Sequence, residues 1–192
     1  YNASKGRSWS AAPEWLAQAK PTSDGGNSLL LSFIQEIDMC IDKTLSRLKD
    51  GYQIDAFLWH QGESDYAKSK DYYRNLKTMV AYVRMHLTEK TGKDYSRLPF
   101  IFGTVARSNK YFSREVENAM KQLAAEDPNM HLIDMSGAEL LNDRLHFTAH
   151  SAEYLGQQVY KQLEQIIKGV TVRTDELKGK RLGIIGDSYV KN

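Results

Sequence analysis

Residues 54–65 read IDAFLWHQGESD, a short apolar run that leads directly into polar side chains. A run of this length that is apolar at nearly every position is typical of a strand buried on both faces of a parallel sheet. His60, Gln61, Glu63 and Asp65 follow it almost without a spacer. Open parallel sheets bind their ligands beyond the carboxyl ends of the strands. The stretch therefore predicts a central strand with functional groups at its end.

Apolar strands and amphipathic helices alternate along the rest of the chain. The other predicted strands are LPFIFGTV (98–105), MHLIDM (130–135) and RLGIIG (181–186). The predicted helices run from Leu30 to a stop at Gly51, over about 68–91 to Gly92, around 116–123, and over about 151–168 to Gly169. This alternation predicts an α/β fold, a three-layer α/β/α sandwich with a mostly parallel sheet covered on both faces.

The composition is that of an ordinary globular domain. Of the 192 residues 41% are hydrophobic and 26% are charged, and the net charge is +2. Such a balance gives no field that would predict nucleic acid or a membrane as partner, and no run approaches the roughly 18 apolar residues of a spanning helix. The single cysteine, Cys40, excludes an intrachain disulfide framework. Since Ile37, Met39 and Ile41 surround it, we predict that Cys40 belongs to the core.

Two other kinds of site have only incomplete motifs. His146 and His150 stand four apart, as two metal ligands on a helix can, but Phe147 occupies the place of the glutamate in H-E-x-x-H. Residues 179–188, GKRLGIIGDS, match neither the phosphate-binding loop nor the dinucleotide glycine pattern. We therefore predict no metal and no nucleotide cofactor. Four aromatic residues are predicted to pack rather than to bind sugar: Trp59, Tyr72, Tyr73 and Tyr82.

Four polar residues fit a nucleophilic hydrolase. Ser188 follows an apolar strand, where a tight turn would expose its hydroxyl as a nucleophile. His146 could take the hydroxyl proton, and Asp143, three residues earlier, could orient the imidazole. Gln61 could donate a side-chain N–H to the oxyanion. Together they predict ester hydrolysis through an acyl-serine intermediate.

Two motifs resemble one known family. WHQGESD (59–65) resembles the central motif of carbohydrate esterase family 6 and the sialate O-acetylesterases, which are branches of the SGNH (GDSL-type) hydrolases. DRLHFTAHSAEYLGQQVY (143–160) resembles the closing block of that family, where an Asp-x-x-His pair precedes the last helix. The resemblance covers roughly residues 12–168.

The resemblance implies a flavodoxin-like sandwich and removal of acetyl groups from a carbohydrate substrate without metal or cofactor. It puts the family's Asp-x-x-His pair on Asp143 and His146 and its oxyanion glutamine on Gln61. Some members are thought to use the central glutamate as the acid, so Glu63 competes with Asp143. His60 is expected to shape the loop through hydrogen bonds. Xylan, sialic acid and other acetylated glycans fit equally well, and a periplasmic or extracellular location is expected from such substrates.

The GDS block at 186–188 departs from the family's order, in which the nucleophile lies on the first strand. In one interpretation residues 1–170 form an esterase-like domain without its usual first strands, 171–179 form a linker, and 180–192 begin a second SGNH domain. In the other, 180–192 form a permuted first strand that completes the same site. We favour the first, because the helix that normally follows the nucleophile has no room here. Two rival functions are a carbohydrate-binding module without turnover and an incomplete half-domain.

Overall fold

The computed structural model describes residues 8–171 and 180–187, and its elements alternate as the sequence predicts. The strands are β1 (Tyr52–His60), β2 (Phe100–Gly103), β3 (Met130–Ile133) and β4 (Lys180–Asp187). The α-helices are α1 (Pro13–Leu16), α2 (Leu29–Lys43), α3 (Tyr72–Thr91), α4 (Arg114–Glu126) and α5 (Ala149–Thr171). Short 3₁₀ segments lie at Thr22–Asp24, Leu45–Arg47 and Glu63–Asp71.

The four strands form one parallel sheet in the order β3-β2-β1-β4. Phe100 of β2 lies between Phe57 of β1 and Met130 of β3. On the other side of β1, His60 is paired with Asp187 at the end of β4. Because all strands run the same way, their carboxyl ends lie along one edge of the sheet.

Two apolar clusters separate the layers of the sandwich. Alternate side chains of a strand point to opposite faces of a sheet. Phe100 and Phe102 of β2 accordingly pack in the larger cluster with α2, α3 and α4, whereas Ile101 packs in the smaller one with α5. The predicted three-layer α/β/α fold with a parallel sheet is therefore confirmed.

Aromatic side chains fill much of the larger cluster. Trp9 contacts Trp59 edge to face at 4.9 Å between ring centroids, and Phe57 contacts Phe100 at the same distance. Trp59 and Tyr72 are buried, and two further tyrosines pack against the cluster from its margin, Tyr73 and Tyr82. All four aromatic residues that were predicted to pack do so.

Several boundaries differ from the predicted ones. The α2 helix ends at Lys43, and Leu45 is buried by a 3₁₀ turn instead; Gly51, at φ 72°, belongs to the later turn into β1. The α5 helix continues past Gly169, because a single glycine lowers helix propensity without breaking the helix. Gly92, by contrast, ends α3 in the left-handed conformation as predicted.

The prediction for Cys40 was wrong, and its side chain is exposed on α2. Ile37 and Ile41 are both buried, and Cys40 lies outside the stripe that they define. Within the described ranges, no helix combines the length and apolar character that crossing a bilayer requires.

Candidate active site

Gly62 makes the sharp turn by which the chain leaves β1. Its φ is 155°, a value that side chains with a Cβ rarely adopt. A Cβ there would also lie 2.8 Å from Cγ2 of Val105 and 3.0 Å from Cε of Met120. Conformation and close packing therefore both require glycine at the centre of the WHQGESD motif.

His60 and Glu63 form a pair at the end of β1. Nε2 of His60 lies 3.6 Å from Oε1 of Glu63. Burial alone would raise the pKa of Glu63. The hydrogen bond and charge of His60 lower it, as do hydrogen bonds from the backbone N–H groups of Glu63 and Gly62. Because these effects outweigh burial, the pKa of Glu63 lies below its usual range. A Cβ on Gly103 would come within 2.9 Å of Nδ1 of His60, so the end of β2 is shaped to accept this ring.

Gln61, which follows His60, is buried. Its Nε2 donates to Oδ2 of Asp65 at 2.5 Å, and the hydroxyl of Tyr72 donates to its backbone carbonyl at 3.0 Å. Asp65 is itself buried, and its contact with Gln61 was not predicted from the sequence. Since a primary amide carries two N–H donors, the bond to Asp65 engages one of them and fixes the direction of the other.

Asp143 and His146 form a second pair on the loop before α5. Nδ1 of His146 and Oδ2 of Asp143 are 2.5 Å apart, while Oδ1 of Asp143 accepts the backbone N–H groups of Leu145 at 2.9 Å and His146 at 3.1 Å. The bond with the His146 ring, then these two N–H groups, lower the pKa of Asp143 to about 2. A carboxylate on Nδ1 favours the tautomer in which Nε2 can accept a proton.

This loop is a tight hairpin. The N–H of Leu141 donates to the carbonyl of His146 at 2.8 Å, and Leu140 is bridged to Phe147. Arg144, at its tip, has φ 56°, in the left-handed region that non-glycine residues seldom occupy. The turn brings Asp143 and His146 onto the same side of the loop.

A neighbouring loop fixes the hairpin in place. Asn109 lies in the loop that joins β2 to α4, and it is buried. Its Nδ2 donates to the carbonyl of Leu145 at 3.2 Å, and its Oδ1 accepts the N–H of Tyr111 at 2.8 Å. The N–H of Lys110 donates to the carbonyl of Arg144 at 3.0 Å. Asn109 was not predicted from the sequence, in which the turn-forming composition of Ser108–Asn109 is the only local signal.

The hairpin that carries Asp143 and His146 contacts the end of β1, where His60 and Glu63 lie. Phe147, directly after His146, packs on the ring of His60 with 4.9 Å between centroids. Glu63 and Asp143, the two candidates for the orienting carboxylate, contact different histidines. Glu63 faces His60, whereas Asp143 faces His146.

The predicted nucleophile, Ser188, lies outside the described residues, as do 1–7, 172–179 and the rest of 188–192. Among the residues that are described, no three His, Cys, Asp or Glu side chains are grouped as metal ligands. Chemically, the arrangement offers the imidazole of His146 as a base that a carboxylate orients.

Comparisons with known proteins point to one family. A family model described as carbohydrate esterase, sialic acid-specific acetylesterase, matches residues 20–165. A probable carbohydrate esterase of Arabidopsis thaliana is 29% identical over 119 residues, which are 60% of this chain and 42% of the relative. An X-ray structure under the same Arabidopsis locus name matches with a TM-score of 0.55 and 26% identity, over 68% of this chain and 51% of that one. The chain thus spans about half the length of these relatives or less.

Proposed function

Since the chain belongs to the carbohydrate esterase family described as sialic acid-specific acetylesterase, we propose that it is a serine esterase that removes O-acetyl groups from carbohydrates. The observation that carries the proposal is the hydrogen-bonded pair of Asp143 and His146 at the carboxyl edge of the sheet. A carboxylate on Nδ1 prepares Nε2 of a histidine to act as a general base.

In the proposed reaction Ser188 is the nucleophile. Its Oγ bonds to the acetyl carbonyl carbon while Nε2 of His146 takes the hydroxyl proton. The ester C–O bond then breaks, and His146 returns the proton to the sugar oxygen, which leaves as a hydroxyl. Water attacks the acetyl-serine with the same base, and acetate and free serine result. Asp143 orients the ring and stabilises its charged form throughout.

The topology supports Ser188 as the nucleophile of this domain. The helices α3 and α4 follow β1 and β2 on one face of the sheet, whereas α5 crosses back on the other face to reach β4. In doubly wound sheets the ligand crevice lies where the strand order reverses, here between β1 and β4. Asp187, which precedes Ser188, is paired with His60 in that place. This register favours the permuted strand over a second SGNH domain.

Gln61 remains the proposed side-chain donor to the oxyanion. Its bond to Asp65 leaves one amide N–H for that role. We assign the orienting acid to Asp143 rather than to Glu63, because each carboxylate is paired with a different histidine.

The test compares the chain with three variants on p-nitrophenyl acetate and on acetylated glycans. We expect Ser188→Ala and His146→Gln to lose at least about 10³-fold in kcat/KM. Ser46→Ala, at an exposed serine in the Leu45–Arg47 turn, is the control and should keep full activity. Mass spectrometry of a quenched reaction should find the acetyl group on the peptide that contains Ser188.

Two outcomes would contradict the proposal. Activity that survives Ser188→Ala would exclude this serine as nucleophile. A folded parent chain that hydrolyses no ester but binds glycans would favour the second candidate, a carbohydrate-binding or incomplete esterase-like part of a larger protein. The share of the Arabidopsis relative that this chain spans, 42%, is the observation in favour of that candidate.

A further inference from the structure

Two tyrosines lie side by side at the margin of the candidate active site. The ring centroids of Tyr66 and Tyr111 are 4.9 Å apart, and the ring planes differ by 31°. Tyr66 is 49% exposed, unlike Trp59 and Tyr72, which are buried in the core. The pair is therefore an aromatic surface that the fold leaves open to solvent.

Both tyrosines belong to segments that build the site. Tyr66 lies on the 3₁₀ segment Glu63–Asp71, three residues after the glutamate that faces His60. Tyr111 is tied through its backbone N–H to Asn109, whose amide holds the carbonyl of Leu145, the residue before His146. The two rings thus join the segment that follows β1 to the loop that supports the Asp143–His146 hairpin.

A cation accompanies the rings. Nζ of Lys110 lies 5.3 Å from the centroid of Tyr111, and the backbone N–H of Lys110 donates to the carbonyl of Arg144 in the hairpin. The faces of aromatic rings carry partial negative charge. They attract the C–H bonds on the apolar face of a pyranose, while an ammonium group nearby can donate to sugar hydroxyls.

We propose that Tyr66 and Tyr111 form a stacking subsite for a sugar ring next to the one that carries the acetyl group. Tyr66, the more exposed ring, supplies the contact face, and Tyr111 fixes its orientation. The inference rests on the proposed function and deepens it. It makes the chain an esterase that prefers acetylated oligosaccharides to small acetyl esters.

The experiment first identifies, among acetylated xylo-oligosaccharides and O-acetylated sialosides, the glycan that the parent chain turns over best. We then compare kcat/KM on that glycan and on p-nitrophenyl acetate for Tyr66→Ala, Tyr66→Trp and Tyr160→Ala. Tyr160, on α5, is 66% exposed and serves as the matched control. Tyr66→Ala should lose about tenfold on the glycan through KM and nothing on p-nitrophenyl acetate. Tyr66→Trp should retain glycan turnover, and Tyr160→Ala should match the parent on both.

Three results would overturn the subsite: equal losses on both substrates, no loss on the glycan, or hydrolysis of p-nitrophenyl acetate with no glycan turned over. The first two leave the proposed function intact, whereas the third would also contradict its carbohydrate substrate. If no ester at all is hydrolysed, the esterase proposal fails, and calorimetric titration with the deacetylated glycans decides the subsite. Binding that Tyr66→Ala abolishes and Tyr160→Ala preserves would support it, whereas absence of binding by the parent chain would overturn it.

Discussion

At the scale of single residues, Asp143 shows how a few hydrogen bonds set the chemistry of an exposed group. It receives the His146 ring and two backbone N–H groups, although its side chain remains partly open to solvent. Solvent screens such a pair, so its role is orientation rather than stability. The geometry keeps one tautomer of His146 in place.

We predict that Asp143 stays ionised far into the acid range. Its pKa is lowered from 3.8 to about 2. The contribution of the Asp143–His146 pair to the stability of the folded state is therefore complete above pH 3.8 and is lost as the pH falls towards 2. In a ¹³C NMR titration the Asp143 carboxyl signal should hold steady down to about pH 3. The variant His146→Gln should move its midpoint up towards the ordinary value; an unchanged midpoint would contradict the pairing.

At the scale of elements, the site depends on the contact between two loops. Asn109 joins the loop after β2 to the hairpin before α5 through its Nδ2, which donates to the carbonyl of Leu145. Its Oδ1 accepts the N–H of Tyr111 in its own loop, so both of these bonds are to backbone. Within the described part of the chain, its side-chain hydrogen bonds reach none of the groups assigned to the reaction. Asn109 is therefore a positioning residue that acts through Leu145 and the adjacent His146.

We expect Asn109→Ala to lower kcat on p-nitrophenyl acetate by about tenfold to a hundredfold, because the hairpin loses an anchor. Asn109→Asp, which keeps the acceptor for Tyr111, should lose less. Asn129→Ala removes a comparable side-chain hydrogen bond, from the amide of Asn129 to Asp127 before β3, and serves as the stability control. Equal loss of kcat in both alanine variants at equal thermal stability would contradict a positioning role for Asn109.

At the scale of the whole molecule, β4 closes the sheet beside β1. Removing residues 172–192 should expose the backbone edge of β1 and lower stability by about 3 kcal/mol, or roughly 10 °C in Tm. Thermal unfolding and size-exclusion chromatography of the shortened chain would measure this, with a peptide of residues 178–192 added back as the control. An unchanged Tm in the shortened chain would show that β4 contributes nothing to this domain.

The sequence predicts the architecture better than it predicts the site. Strand and helix faces follow from periodicity, whereas the pairing of Asp143 with His146 was predicted from their spacing together with the resemblance of 143–160 to the closing block of the family. Asn109 and the bond of Asp65 to Gln61 were not predicted, since they depend on contacts that local patterns do not encode. The bond from Asn109 to Leu145 joins residues far apart in the chain, and no spacing rule connects them. Ser188 as nucleophile stays a prediction.

The pairing of β1 with β4 also has a consequence for the order of synthesis. Tyr52 is paired with Lys180, so the neighbour of β1 is translated only after β2 and β3. Until it arrives, the nascent chain carries an open sheet edge, which is a template for aggregation. Such non-local pairing also folds slowly. The edge of β1 therefore stays unpaired until β4 has been synthesised, and the proposed site at the boundary of β1 and β4 can form only after that.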